Sequence, residues 1–329
     1  MSDSADHLQR LAAQMQSIVG TDNVLLDEVL SEHTTFHIGG PADIFVTPET
    51  PEDVQELVAL CRAASVDFFI LGRGSDLLVD DEGFRGVVIA LSEGLVNVSA
   101  NGETMTCQAG VTLREASEMA CELGLSGLEF ACGIPGSVGG ACFMNAGAYG
   151  GAISDVLSSI RALMPDGSIA TIPHEELHLG YRKSRVKDEH LVVLSATFSL
   201  HEGSPEQIRN KMDDLTCARE EKQPLEFASA GSTFKRPEGH FVGKLVTDAG
   251  LKGYRVGDAC VSEKHAGFVI NVGHASSKDV HAVIEHVQAE VKRQFGVELE
   301  PEILFVGGPM PAAHTPMQTP AQTPTSTQA

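Results

Sequence analysis

The stretch ACGIPGSVGGACFMNAGAYGG, residues 131–151, decides how the rest of the chain is read: it holds seven glycines in 21 positions and no charged side chain. Glycine at that density lets main chain approach something closely, and the successive N–H groups of GIPGSVGGA suit an anion nest of the kind that surrounds a pyrophosphate. Close packing of strands or a flexible linker would use the same residue type. Linkers are polar, whereas Ile134, Val138, Phe143 and Met144 are apolar. The stretch therefore reads as ordered, with a flat or extended ligand lying along it.

A second glycine loop lies upstream. LGRGSDLLV (71–79) follows the apolar run DFFIL (67–71) at once, and ligand crevices form beyond the carboxyl ends of parallel strands. Gly72 and Gly74 permit a tight backbone, and Ser75 and Asp76 offer hydrogen bonds. Leu77 stands where a G-x-G-x-x-G motif needs its third glycine, and no G-x-x-x-x-G-K-[ST] occurs. A dinucleotide Rossmann fold and a P-loop are both disfavoured; a plain β-turn is the competing reading.

Around these loops the chain divides into three parts. Leu8, Leu11, Ala12, Met15, Ile18 and Val19 share a helical face closed by Gly20. ADIFVTP, a helix TPEDVQELVALCRAA with Thr50 as N-cap and Pro51 at its first position, and DFFIL read as a βαβ unit. GVVIAL, TMTCQAG, the helix TLREASEMACELG with a Thr112–Glu115 capping box, the glycine stretch and HLVVLSATFSL make a second, mixed part. Ser204 and Pro205 open a helix running to about Glu221 and begin the third. It ends in KDVHAVIEHVQAEVKRQF, where Val280, Val283, Ile284, Val287 and Val291 share a face and Gly296 stops the helix. The expected division is 1–90, 91–204 and 205–298, then a strand, ELEPEILFV, that returns over 299–308, and a tail over 309–329. The tail has five prolines and no Asp, Glu, Lys or Arg, so it cannot build a core and reads as disordered. The fold class is α+β.

Composition narrows the function. A chain of 329 residues exceeds one typical core, and 42% hydrophobic residues with mean hydropathy near zero describe a soluble protein. No apolar run approaches the roughly 18–20 residues of a membrane span, and the first residues lack a signal-peptide pattern, so the expectation is a cytoplasmic protein. Seven scattered cysteines without a C-x-x-C pair point to free thiols and no structural metal. A formal net charge of -22 argues against nucleic acid. Residues 181–264, however, hold 14 of the 23 Lys and Arg against 13 acids. A small anion would bind there, although a solvated surface of mixed charge fits the same numbers.

Taken in order, HTTFHIGGPAD, the two glycine loops, YRKSR, KQPLEFASAGSTFKRP, GHFVGKLVTDAGLKG, KHAGFVIN and LEPEILFVG resemble the UDP-N-acetylenolpyruvoylglucosamine reductase family of flavoenzymes, in its shorter second type. The resemblance spans about residues 31–307. It implies a two-domain FAD-binding fold of the vanillyl-alcohol-oxidase/CO-dehydrogenase-flavoprotein type with a C-terminal α+β substrate-binding domain. The implied reaction is NADPH-dependent reduction of an enolpyruvyl ether on UDP-N-acetylglucosamine, giving UDP-N-acetylmuramate for peptidoglycan, with FAD as cofactor and no metal. FAD would lie against Gly72, Arg73, Gly74, Ser75, Asp76 and Leu77 in one loop. In the other it would meet Gly133, Ile134, Pro135, Gly136, Ser137, Gly140, Ala141, Asn145 and Ala146.

Reducing an enol ether beside a carboxylate requires a hydride, a positive charge at the carboxylate and a positioned acid. Arg182 in GYRKSR suits the second task, since a guanidinium grips a carboxylate with two bonds; on the residues alone a surface arginine fits equally, and the resemblance selects it. Lys183, Arg185 and Lys187 read as solvated. Ser232 in AGSTF matches the family's proton donor; otherwise it is a turn serine, and no G-x-S-x-G elbow surrounds it. Glu302 in LEPEILFV matches the catalytic glutamate, although Glu300 shares its strand face at period two and only the resemblance separates them. Tyr181, Lys222, Arg236 and Lys244 match positions for the UDP-sugar, while His265 and Asn271 read as structural.

Asp76 departs from the family's G-x-G-S-N loop. It brings a carboxylate near the proposed FAD phosphates, which weakens binding unless it faces a donor such as a ribose hydroxyl or is offset by Arg73. Two rival readings stand beside this one. A flavin oxidoreductase of a small 2-hydroxy acid would not need Ser232 and Glu302 together. A flavin-binding module without turnover would keep the loops and lose Arg182, Ser232 and Glu302 freely.

Overall fold

The two apolar runs that bracket the helix Pro51–Ala64 both pair in parallel, though not with each other. In the computed structural model, which describes residues 2–308, the strand Phe84–Ala90 lies between Pro41–Val46 and Phe68–Leu71, parallel to both, and Val24–Val29 runs antiparallel along the outer edge. The βαβ unit stands in the structure, with a crossover that skips one position and a third strand that fills it. Val87 to Ala90 are buried without interruption, as in strands covered on both faces. Thr50 caps the crossover helix through a reciprocal box, with Asp53 N–H donating to Thr50 Oγ1 at 3.0 Å and Thr50 N–H to Asp53 Oδ2 at 2.9 Å. The expected disordered tail, 309–329, lies outside the described residues.

A second sheet is antiparallel throughout, in the order Ile169–Pro173, Leu157–Leu163, Val192–Ser199, Thr104–Gln108, Val98–Asn101. Its inward side chains, among them Met105, Ile160 and Phe198, join Ile44, Val87 and Ile89 of the first sheet in one buried cluster. The third layer is a small antiparallel sheet, Arg255–Val256, Ala259–Val261 and Val269–Asn271, covered by the helix Ser277–Phe295. That helix buries Val280, Val283, Ile284, Val287 and Val291, the face its spacing dictates. Phe36 and Ile38 reach from the N-terminal part into this second core. No helix among the described residues is long and apolar enough to cross a membrane.

Residues 300–306 position the site. Lys235 N–H donates to Glu300 O at 2.8 Å and Glu302 N–H to Thr233 O at 2.9 Å, so the chain first runs antiparallel to residues 233–235. Leu304 N–H then donates to Asp76 O at 2.8 Å, and Leu304–Val306 continues parallel to Leu77–Val79. One short stretch thus laces the C-terminal part to the loop that follows Phe68–Leu71.

Candidate functional site

Both glycine loops line one cavity of about 520 Å³, together with Arg182, Ser232 and Glu302. The loops touch: a Cβ built on Gly72 would lie 2.4 Å from Ser137 Oγ, and one on Gly136 would lie 3.5 Å from Ser75 Oγ. Gly74 has φ +60 and a Cβ there would meet His33 O at 2.1 Å, so no other residue fits that turn. The region read as an open nest is partly helical. Ser137 caps Val138–Met144, taking a hydrogen bond from Gly140 N–H at 3.4 Å.

The seven glycines of residues 131–151 divide by what they face. Gly139 packs on Ala109, Gly147 on Gly151 O at 2.7 Å, and Gly151 on the Phe130 ring at 2.7 Å; these answer to chain packing, and Gly139 and Gly147 also border the cavity. Gly133 makes room for the Arg219 side chain, and Gly150, with φ +85, serves a turn. Gly136 and Gly140 line the cavity, and a Cβ on either would meet only a serine hydroxyl, at 3.5 and 3.6 Å. The space in front of those two is held open by no neighbouring side chain.

Arg182 reaches the cavity through a tight turn. Gly180 and Lys183 exchange two backbone bonds, of 3.0 and 3.2 Å, and Arg182 between them takes φ +54, a conformation a non-glycine residue adopts only when its surroundings impose it. Asn145 imposes it in part, donating from Nδ2 to Gly180 O at 2.9 Å while its Oδ1 accepts from Ser154 N–H at 2.9 Å. Arg182 Nε donates to Glu302 Oε1, leaving the terminal guanidinium nitrogens for a ligand. Glu302 is buried, and burial raises its carboxyl above the ordinary range even though Arg182 beside it pulls the other way. Glu300 instead pairs with Lys235 and is exposed, so the fold separates two acids that sequence period could not. Ser232 opens onto the cavity, and its hydroxyl has no hydrogen-bond partner among the described residues.

Asp76 belongs to the same wall. Burial, then the nearby Glu302 carboxylate, push its carboxyl well above the ordinary range, against the pull of Arg182 and Lys187. The concern that it would present a negative charge is met by this arrangement, which favours the neutral acid.

The remaining expected residues do not all converge. Leu77, Ile134, Pro135, Ser137, Ala141, Ala146 and Arg73 line the cavity; Gly133 and Asn145 do not, the latter being spent on the Arg182 turn. Tyr181 is 61% exposed, and its hydroxyl accepts from Arg236 N–H at 3.1 Å. Arg236 stacks on Phe241 at 3.9 Å, Lys244 pairs with Asp248 at 2.7 Å, and Lys222 is exposed; none of these lines the cavity. Arg219 and Gln223, flanking Lys222, do. Gln223 Oε1 is buried without a hydrogen-bond partner, the one such side-chain atom among the described residues. Lys187, read as solvated, is also a wall residue. Its sequence signal was the capping serine three residues ahead, since Ser184 Oγ accepts from Lys187 N–H at 3.1 Å and donates to Phe143 O at 2.6 Å.

Known proteins match this arrangement in both halves. Residues 42–172 match the FAD binding domain family, and residues 223–306 match the C-terminal domain of UDP-N-acetylenolpyruvoylglucosamine reductase. The reductase of that name from Clostridium beijerinckii is 52% identical over 284 residues, 86% of this chain and 93% of the relative. One from Clostridium botulinum is 51% identical over 278 residues, 84% and 91% of the two chains. The crystal structure of the Thermus caldophilus reductase superposes with a TM-score of 0.74 at 36% identity, covering 86% of this chain and 98% of that one. With an FAD-binding domain, the reductase C-terminal domain and relatives of this identity over most of its length, the chain belongs to the UDP-N-acetylenolpyruvoylglucosamine reductase family of FAD-dependent oxidoreductases.

Proposed function

We propose that this chain reduces UDP-N-acetylenolpyruvoylglucosamine to UDP-N-acetylmuramate with NADPH, in the cytoplasm and as a step of peptidoglycan precursor synthesis. The observation that carries the reading is the path of residues 300–306, which sets Glu302 between the Ser232 segment and the Asp76 loop and opposite Arg182. The cavity fits FAD. Gly136 and Gly140 face open space, the two loops meet edge to edge, and Gln223 Oε1 awaits a donor. Residues 72–77 and 134–146 would hold the cofactor, which when bound supplies a two-electron hydride carrier between NADPH and the substrate.

The chain's own groups have three tasks. The free terminal nitrogens of Arg182 grip the substrate carboxylate, and its Nε bond to Glu302 fixes the plane of the guanidinium. Ser232 delivers a proton to the carbon beside that carboxylate; a hydroxyl is a weak acid, so it acts by proximity to a strongly basic centre. Glu302, held above the usual carboxylate range, carries a proton at higher pH than a free glutamate and supports the transfer. We further propose the division 1–90 and 91–204 for cofactor binding and 205–298 for the sugar nucleotide. Tyr181, Arg236, Lys222 and Lys244 form the outer approach for the UDP moiety.

Absorbance tests this directly. FAD-loaded protein should be yellow, bleach with NADPH, and regain colour when the enolpyruvyl UDP-sugar is added under anaerobic conditions. Ser232→Ala should bleach normally and recolour about 10²–10⁴-fold more slowly, the usual contribution of a positioned acid. Recolouring by a 2-hydroxy acid's keto product, and not by the UDP-sugar, would overturn the assignment.

A further inference from the structure

The charges at the reaction centre do not balance as the three proposed groups stand. Arg182 shares its Nε with Glu302, so while that carboxyl is ionised the pair presents no net charge. Asp76 adds a carboxyl on the same wall, and Glu300, the next acid outward, is taken by Lys235. A hydride arriving at an enolpyruvyl group adds a second negative charge next to a carboxylate that already bears one. A guanidinium shared with an acid answers that less well than an undivided cation in a recessed site.

Lys187 supplies the missing charge. It follows Arg182 by five residues and lines the same cavity, half-buried. Wholly buried Ser184 pins this segment to Phe143, so the lysine stem lies inward along Phe143 instead of extending to solvent. Its Nζ sits 5.7 Å from the Phe143 ring centroid and 3.9 Å from Met144 Sδ, and it makes no ion pair within 4.0 Å among the described residues. Burial, then Lys235, lower its hold on a proton, while Asp76, Glu300 and Glu302 raise it, and each of those carboxyls is engaged elsewhere or favoured as the neutral acid. A recessed ammonium without a protein counter-ion is placed to meet an anion that arrives with a ligand.

We propose that Lys187 is a further catalytic residue, its ammonium contacting the substrate carboxylate and taking up the charge that develops there. This rests on the proposed reductase reading. As hydride adds to the terminal CH₂ carbon, the π pair moves to the carbon bearing the carboxylate and spreads into its oxygens. A proton from the serine returns to that carbon, NADPH is the source of the two electrons, and Lys187 keeps its proton throughout. Because the carboxylate carries one charge before the transfer and nearly two during it, the ammonium binds the transition state more strongly than the substrate. Its loss therefore falls on turnover more than on KM.

The test uses FAD-loaded full-length protein and anaerobic stopped-flow absorbance, with Lys187→Met and Lys187→Arg. The Met variant should bleach with NADPH within about twofold of the parent and recolour with the enolpyruvyl UDP-sugar about 10²–10³-fold more slowly, the range for losing one electrostatic stabiliser. The Arg variant should recover at least about tenfold of that loss, a rescue that a packing role would not give. If the Met variant does not retain FAD, Lys187→Gln carries the same comparison. Recolouring at the parent rate in the neutral variant overturns the inference. So does slower bleaching by NADPH together with a fall in the midpoint potential of the bound flavin, because the charge would then serve the cofactor. Failure of the parent protein itself to recolour with the UDP-sugar would instead remove the reductase reading.

Discussion

A carboxyl group at position 76 takes its character from a residue far along the chain. Read in sequence, Asp76 neighbours only Ser75 and the proposed phosphates; in the fold its neighbour is Glu302, brought alongside when Leu304 N–H bonds to Asp76 O. Burial and Glu302 raise the folded-state affinity of Asp76 for its proton above that of an unfolded aspartate, whose ordinary value is 3.8. From that value upward to the raised one the native state holds more proton than the unfolded state, so stability falls as pH rises through the window. Asp76→Asn keeps the shape and removes the penalty. The variant should melt higher than the parent at about pH 7.5, by roughly 2–4 °C for each kcal/mol removed, with the gap closing towards about pH 4. Calorimetry of both proteins across that range checks it, and a variant that melts lower at neutral pH would mean that the carboxylate is ionised and paired.

At the level of elements, most of what the sequence disclosed was local. The Thr50 and Thr112 caps, the apolar face of Ser277–Phe295 and the helix Pro205–Lys222 follow from near neighbours, and they stand in the structure. Strand order did not follow, because inserting Phe84–Ala90 between two earlier strands depends on long-range pairing that no window of sequence records. The glycine stretch was legible in kind and not in detail: a glycine facing Phe130 and one facing a cavity look identical when written out. Substitution separates them. Gly151→Ala would set a Cβ 2.7 Å from the Phe130 ring, and overpacking of that sort costs about 1–3 kcal/mol. Gly136→Ala meets only Ser75 Oγ at 3.5 Å, an ordinary contact, so its urea midpoint should stay near the parent's while its Kd for FAD rises at least about tenfold as a methyl enters the cofactor's space. Urea unfolding and quenching of free FAD fluorescence read the two effects apart. Unchanged FAD affinity in the Gly136 variant would remove this wall from the proposed cofactor contact.

For the molecule as a whole, the site exists because separate cores are held in one orientation. HTTFHIGG stood out in the sequence only as part of a resemblance, and its physical task is to tether. Thr35 exchanges bonds with Ser229, giving 2.7 Å from its hydroxyl to Ser229 O and accepting 3.1 Å from Ser229 N–H, while Phe36 and Ile38 enter the C-terminal core. Asp81 adds a second tie at the start of the helix Ser277–Phe295. Its Oδ1 accepts from Ser277 N–H at 2.7 Å and its Oδ2 from Lys278 N–H at 3.4 Å, and its own N–H donates to Ser277 Oγ at 3.1 Å. A carboxylate from one part of the chain thus caps the positive end of a helix in another. Asp81→Ala should lower stability by about 1–2 kcal/mol, the range for a lost cap, seen as an earlier urea midpoint. The glycine loop of residues 131–151 makes no bond to this tie among the described residues, whereas Ser232 and Glu302 reach the cavity from the tethered part. The variant should therefore keep its FAD and its bleaching by NADPH while KM for the UDP-sugar rises. If FAD is lost as readily as substrate affinity, the cofactor cavity depends on docking of the C-terminal part, and the two halves of the site cannot be treated as independently formed.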